Sequence, residues 1–171
     1  MNRIIGTNTY GTEIWSGAMG SFVGEHLLGY NSETWEYDRP ILAESYPKIS
    51  DDNLTYIFTV RDGVRWHDGE PFTADDVLFS VKATMLPSVD SASLKGYFAD
   101  LDTVEVDGAT IRFAMAQPYW LNAEVLGGIV ILPEHVYDPE GVLRNYSYSD
   151  VTSADAVDNE ELRQWGESFN R

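Results

Sequence analysis

The sequence has no cysteine among its 171 residues. Disulfides, Cys-ligated zinc, iron–sulfur clusters and thiol nucleophiles are therefore excluded. Basic residues are scarce, with 11 Lys and Arg against 28 Asp and Glu and a formal net charge of -17. DNA, RNA and anionic membrane surfaces are recognised through a basic footprint, so this balance argues against all three as partners. No apolar run approaches the roughly 18 residues that cross a bilayer. The opening residues, Met1 to Thr7, lack a charged segment followed by an apolar one, as a secretory signal would show. The expectation is either a cytosolic protein or an export signal lying outside these residues. Lysine occurs only at Lys48, Lys82 and Lys95. The excess of acid keeps a soluble protein hydrated and monomeric; high acidity with so little lysine also fits a solution of high salt.

What is present suffices for a core. Hydrophobic residues make up 43% and aromatics 13%, and the length allows one domain or at most two small ones. Apolar residues at helical spacing predict a helix over Thr12–Leu28, with Gly17, Gly20 and Gly24 weakening it or admitting a close neighbour. Residues 29–37 read as strand, polar turn and short strand. Tyr56, Phe58 and Val60 alternate with polar neighbours as in a strand. Asp62-Gly63 then predicts a tight turn, Val64-Arg65-Trp66 a returning strand, and Asp68-Gly69 a second turn. Thr73 caps a helix to Leu86, with Asp76 as the third-position partner of a capping box and Val77, Leu78, Val81 and Met85 as the buried stripe. Ser91–Asp100 reads as a short helix and Val104–Met115 as a hairpin turning at Asp107-Gly108. A short helix then runs from Pro118 toward Gly127-Gly128, and Ile129–Leu132 reads as a buried strand. A helical turn at Pro133–Tyr137, a loop-rich stretch over 138–158 and a helix from Asn159 to Phe169 complete the chain. The fold class is α/β of the α+β type, a mixed and largely antiparallel sheet with packed helices.

The sequence supports no catalytic constellation. It has no nucleophile elbow, zinc-protease motif or phosphate loop. His26, His67 and His135 stand far apart, and the carboxylate pairs (Asp51 with Asp52, Asp100 with Asp102, Glu160 with Glu161) sit in turns or on solvated faces. No catalytic residue, metal ligand or cofactor is assigned, and the reading is not an enzyme. Two rivals remain: a hydrolase with dispersed residues, and an aromatic-rich interaction module drawing on ten Tyr and five Trp.

One region is distinctive. Leu42-Ala43-Glu44-Ser45-Tyr46, Leu54–Phe58 and the unbroken string Val60-Arg61-Asp62-Gly63-Val64-Arg65-Trp66-His67-Asp68-Gly69-Glu70-Pro71-Phe72-Thr73-Ala74-Asp75-Asp76-Val77 resemble the signature of the family 5 extracellular solute-binding proteins. Thr110–Phe113, Gln117-Pro118-Tyr119 and Ile131–His135 agree with it, so the resemblance runs from about Thr7 to Phe169. It implies part of a type II periplasmic-binding-protein-like fold of the peptide-binding class. Residues 1–171 would form a single N-terminal fragment, mostly the small α/β subdomain flanking the first lobe, with the second lobe absent. It further implies capture of a peptide-like or other small solute in the periplasm or outside the cell, delivery to an ABC permease, and the option of a lipoprotein anchor.

The resemblance also implies candidate ligand contacts. The family's loop after the first strand corresponds to Thr7, Asn8, Thr9 and Tyr10; the alternative is a polar N-terminal loop with one packed tyrosine. The family's wall aromatic falls around Tyr97, which otherwise reads as a core residue of a short amphipathic helix. Gly127 and Gly128 lie where a family segment approaches the pocket, and glycine suits such an approach; they equally suit the end of the preceding helix. Trp120 reads as packed.

Overall fold

The computed structural model describes residues 24–34 and 36–170. Its main layer is a four-stranded antiparallel sheet of β3 (Lys48–Ile49), β4 (Thr55–Thr59), β5 (Leu101–Asp107) and β6 (Thr110–Met115), in the order β3-β4-β6-β5. A separate hairpin pairs β1 (Leu28–Asn31) with β2 (Glu36–Pro40). Mixed helices and antiparallel sheets are thus the observed architecture. Because Leu28 opens β1 and Glu25 bridges Ile131, the helix expected over Thr12–Leu28 does not reach its predicted end; its remainder lies outside the described residues.

Alternation sets the faces of the main sheet. Tyr56 and Phe58 on β4 point inward with Ile111, Phe113 and Met115 on β6, all buried. On β5 the inward residues Leu101 and Val104 are three apart, whereas their partners Met115 and Phe113 are two apart. A bulge between Leu101 and Thr103 absorbs the extra residue. Outward residues stay wet: Glu105 pairs in register with Arg112, and their side chains form an exposed ion pair at 3.8 Å.

The helix α1 (Ala74–Met85) covers the inner face against β5 and β6. Its start is as the sequence predicts: the Thr73 N–H donates to Asp76 Oδ2 at 2.9 Å and the capping box is formed. Its burial is wider than the predicted stripe. Leu78 and Met85 are only partly buried, whereas Asp76, Phe79, Ser80, Lys82 and Thr84 are buried as well. The reason is a second layer of chain on its far side, made of the segment from Ile131 through α4 (Glu134–Tyr137) and on to α5 (Tyr148–Thr152).

Two predicted strands are corrected. Val64–Trp66 does not return along β4, because β3 and β6 already occupy both edges of that strand. The segment instead folds on itself through an Arg65–Pro71 bridge around Gly69, whose φ of +94° suits glycine. Ile129, Ile131 and Leu132 are buried, but the segment is not a strand of either sheet: Ile131 forms an isolated bridge with Glu25, its N–H donating to the Glu25 carbonyl at 2.9 Å. The next backbone donors along the chain are held by α1 side chains: Leu132 N–H donates to Ser80 Oγ and Glu134 N–H to Asp76 Oδ1, each at 2.9 Å.

The stretch 138–158 carries two 3-10 turns, Leu143–Asn145 and Ala154–Val157, and α5 between them. Asp138 is buried and accepts N–H groups from Val142 (2.9 Å), Leu143 (2.8 Å) and the Trp165 indole (3.1 Å). Lys82 reaches the Leu143 carbonyl at 3.1 Å, and burial lowers its pKa against the pull of Glu134 and other carboxylates. The last helix, α6 (Glu160–Phe169), is capped by Asn159, whose side chain accepts from Leu162 N–H at 3.1 Å. No helix among the described residues is long and apolar enough to cross a membrane.

Tyr148 offers a pH test of this packing. Its hydroxyl donates to the Leu101 carbonyl at 3.2 Å. Burial, reinforced by the Asp102 carboxylate, pushes its pKa up to about 12. An unfolded tyrosine ionises near ~10. The contribution is therefore complete below that value and is lost as pH rises toward the folded pKa, on the order of 2 kcal/mol in all. Urea denaturation across this alkaline window should show that loss. Tyr148→Phe should flatten it, and an equal slope in the variant would contradict the assignment.

Candidate functional site

Of the residues expected to face ligand, Thr7, Asn8, Thr9 and Tyr10 lie outside the described residues. Tyr97 sits on the 3-10 turn Gly96–Phe98 that follows the short helix α2 (Ala92–Lys95), and it is 64% exposed. Gly128 ends the helix α3 (Asn122–Gly127). Both line one open concavity of about 350 Å³, together with Tyr37, Leu94, Phe98, Leu121, Glu124, Val125 and Ile129. Chain positions that are distant in sequence thus meet here: a residue of β2, the α2 turn and the end of α3.

The two glycines do different things. A Cβ at Gly127 would lie 2.5 Å from Leu28 Cδ1, so this glycine lets α3 close onto β1. A Cβ at Gly128 would lie 2.8 Å from the Glu124 carbonyl and 3.6 Å from the Tyr37 ring, on the concave side. Trp120 is not packed as expected. It is 80% exposed and touches Tyr119 edge-on at 6.0 Å between centroids.

The floor of the concavity is apolar, with Phe98 and Ile129 buried. Two tyrosines, Tyr37 and Tyr97, line it, and the Tyr37 ring is itself packed by Tyr30 at 5.7 Å and by His26, edge-on, at 6.1 Å. One carboxylate, Glu124, stands in the lining. An apolar floor with a few polar groups at the edge suits non-covalent capture of a small ligand. Glu124 carried no signal in the sequence, where it is one of 28 acidic residues; only the meeting of α3 with β2 singles it out.

Elsewhere, His135 Nε2 and Asp68 Oδ2 are 2.7 Å apart, tying α4 to the turn at Asp68-Gly69. Hydrogen bonds from His135 and from the Glu70 N–H hold the Asp68 carboxyl below its ordinary value. The pair lies at the surface, with side chains 33% and 48% exposed. Among the described residues no group of three or more His, Asp or Glu is placed to hold a metal ion.

The model of the bacterial extracellular solute-binding proteins, family 5, matches residues 39–164. The chain belongs to this family. Its members are solute-binding proteins of ABC importers, found outside the cytoplasm. A protein of Deinococcus radiodurans named "Probable ABC transporter-binding protein" is 32% identical over 117 residues, covering 66% of this chain and 19% of that one. NikZ of Campylobacter jejuni, solved in complex with Ni(L-His), superposes with a TM-score of 0.66 at 30% identity, over 90% of this chain and 28% of its own. The oligopeptide-binding protein AppA of Bacillus subtilis, solved with a nonapeptide, gives a TM-score of 0.64 at 25% identity, over 93% and 29%. This family 5 chain therefore spans about a fifth of its curated relative and under a third of the two solved neighbours. The likeness to both neighbours agrees with the expected solute-binding fold.

Proposed function

We propose that this chain supplies one wall of the ligand cleft of a solute receptor serving an ABC importer. The receptor captures a peptide-like or other small solute outside the cytoplasmic membrane and hands it to the permease, with a lipid anchor as one means of staying at the membrane. Capture is non-covalent and involves no reaction. The observation that carries this reading is the aromatic concavity where Tyr97 and Gly128 meet Tyr37, within a chain of a solute-binding family. In this reading residues 24–170 correspond mostly to the small α/β subdomain beside the first lobe, and the opposing wall comes from the length of the relatives that this chain does not span. Thr7, Asn8, Thr9 and Tyr10, outside the described residues, would add to the same wall.

Enclosure between two walls removes most of a ligand's surface from water, and a single wall forfeits much of that gain. Isothermal calorimetry of the 171-residue chain with peptide mixtures should show binding weaker than micromolar. Micromolar or tighter binding by this chain alone would contradict the one-wall reading.

A further inference from the structure

Within the concavity just assigned, Glu124 is the only residue among the nine lining it that carries a full charge at neutral pH. It is half-buried, and its side chain makes no hydrogen bond or ion pair with a described residue. The cation nearest in sequence to the opposite rim, Lys95, is turned away: its ammonium donates to the carbonyls of Val89 (2.6 Å) and Pro87 (3.4 Å). On β2 the charged residues Glu36, Asp38 and Arg39 stand close to Tyr37 in the chain, but none of them lines the concavity. A half-buried carboxylate beside tyrosine rings attracts a cation twice over. Its own charge counts more where water is partly excluded, and the faces of the rings favour a positive group. An anionic ligand would meet repulsion from Glu124.

We propose that Glu124 selects the solute by charge, so that this wall takes a ligand bearing a cationic amine next to an apolar or aromatic group. The inference rests on the concavity being a ligand wall. Three probes of similar size separate the two ideas: phenethylamine, 2-phenylethanol and 3-phenylpropionate. Each is titrated at millimolar concentration into the isotope-labelled 171-residue chain while backbone amide shifts are recorded by NMR. Phenethylamine should give saturable shifts at Tyr37, Tyr97 and Gly128, with affinity at least ~5-fold above the alcohol and the acid weakest. Glu124→Gln should bring the amine down to the level of the alcohol, its spectrum showing that the fold is kept. Tyr97→Ala should weaken amine and alcohol alike. Equal affinity for amine and alcohol, or an unchanged amine affinity in Glu124→Gln, overturns the charge selection and leaves the wall intact. No shift at these amides with millimolar phenethylamine overturns the charge selection as well, whereas micromolar or tighter binding of any probe by the chain alone overturns the one-wall reading beneath it.

Discussion

Replacing Asp76 by alanine is expected to lower the free energy of unfolding by about 3 kcal/mol, a large share of the 5–15 kcal/mol typical of a domain. Two separate functions are lost together. Oδ2 accepts the Thr73 N–H at the helix start, and losing such a cap costs ~1 kcal/mol. Oδ1 accepts the N–H of Glu134, a residue 58 positions away, and that donor is left buried without a partner at a cost of ~1–3 kcal/mol. The Trp66 indole N–H, 3.4 Å from Oδ2, loses its acceptor as well. Asp76→Asn keeps the shape and one acceptor oxygen and should fall between the two. Urea midpoints for the three proteins give the comparison. A loss below ~1 kcal/mol in the alanine variant would mean that the 131–134 segment is not held by this carboxylate.

The largest effect of all should come from Phe113→Ala, about 4 kcal/mol, in the range for emptying a packed aromatic site. Phe113 is fully buried and meets Phe58, on the neighbouring strand, edge-to-face at 5.8 Å. Its removal opens a void on the inner face of the sheet, between β4 and β6. The adjacent Arg112 provides the control. It points to solvent and pairs with an exposed Glu105, so Arg112→Ala should stay within ~0.5 kcal/mol. Thermal and urea unfolding of both variants measures the contrast. Comparable losses at positions 112 and 113 would mean that the strand presents its faces the other way.

The parts legible in the sequence are those fixed by near neighbours. Thr73 and Asp76 announce a helix start because the cap is made within four residues. The β5–β6 hairpin is announced by Gly108, which takes φ of +58° at the turn, between two alternating runs. What could not be read depends on distant chain. Val64–Trp66 looks like a strand until β3 and β6 take both edges of β4. Ile129–Leu132 has the apolar run of a strand, yet Ile131 bonds the backbone of Glu25 and Leu132 a side chain of α1, which no periodicity records. The same holds at the candidate site. Tyr97 and Gly128 were expected from family likeness, but their meeting at Tyr37 follows from how α3 packs on the β1–β2 hairpin. Neighbouring glycines part ways because Leu28 sits beneath Gly127 while Gly128 borders the hollow. Trp120, a weaker ligand-contact candidate that reads more readily as packed, is 80% exposed instead.

The outer strands of the main sheet have a consequence for behaviour in concentrated solution. On one side the sheet ends at β3, only two residues long and starting with Lys48. On the other it ends at β5, whose bulge interrupts the ladder and whose exposed positions include Asp102 and Glu105. Strand-to-strand recruitment of a second molecule needs a long, flat, uncharged border, and neither margin offers one. With a molecular charge of -17 added to this, copies that meet along these margins repel rather than zip together.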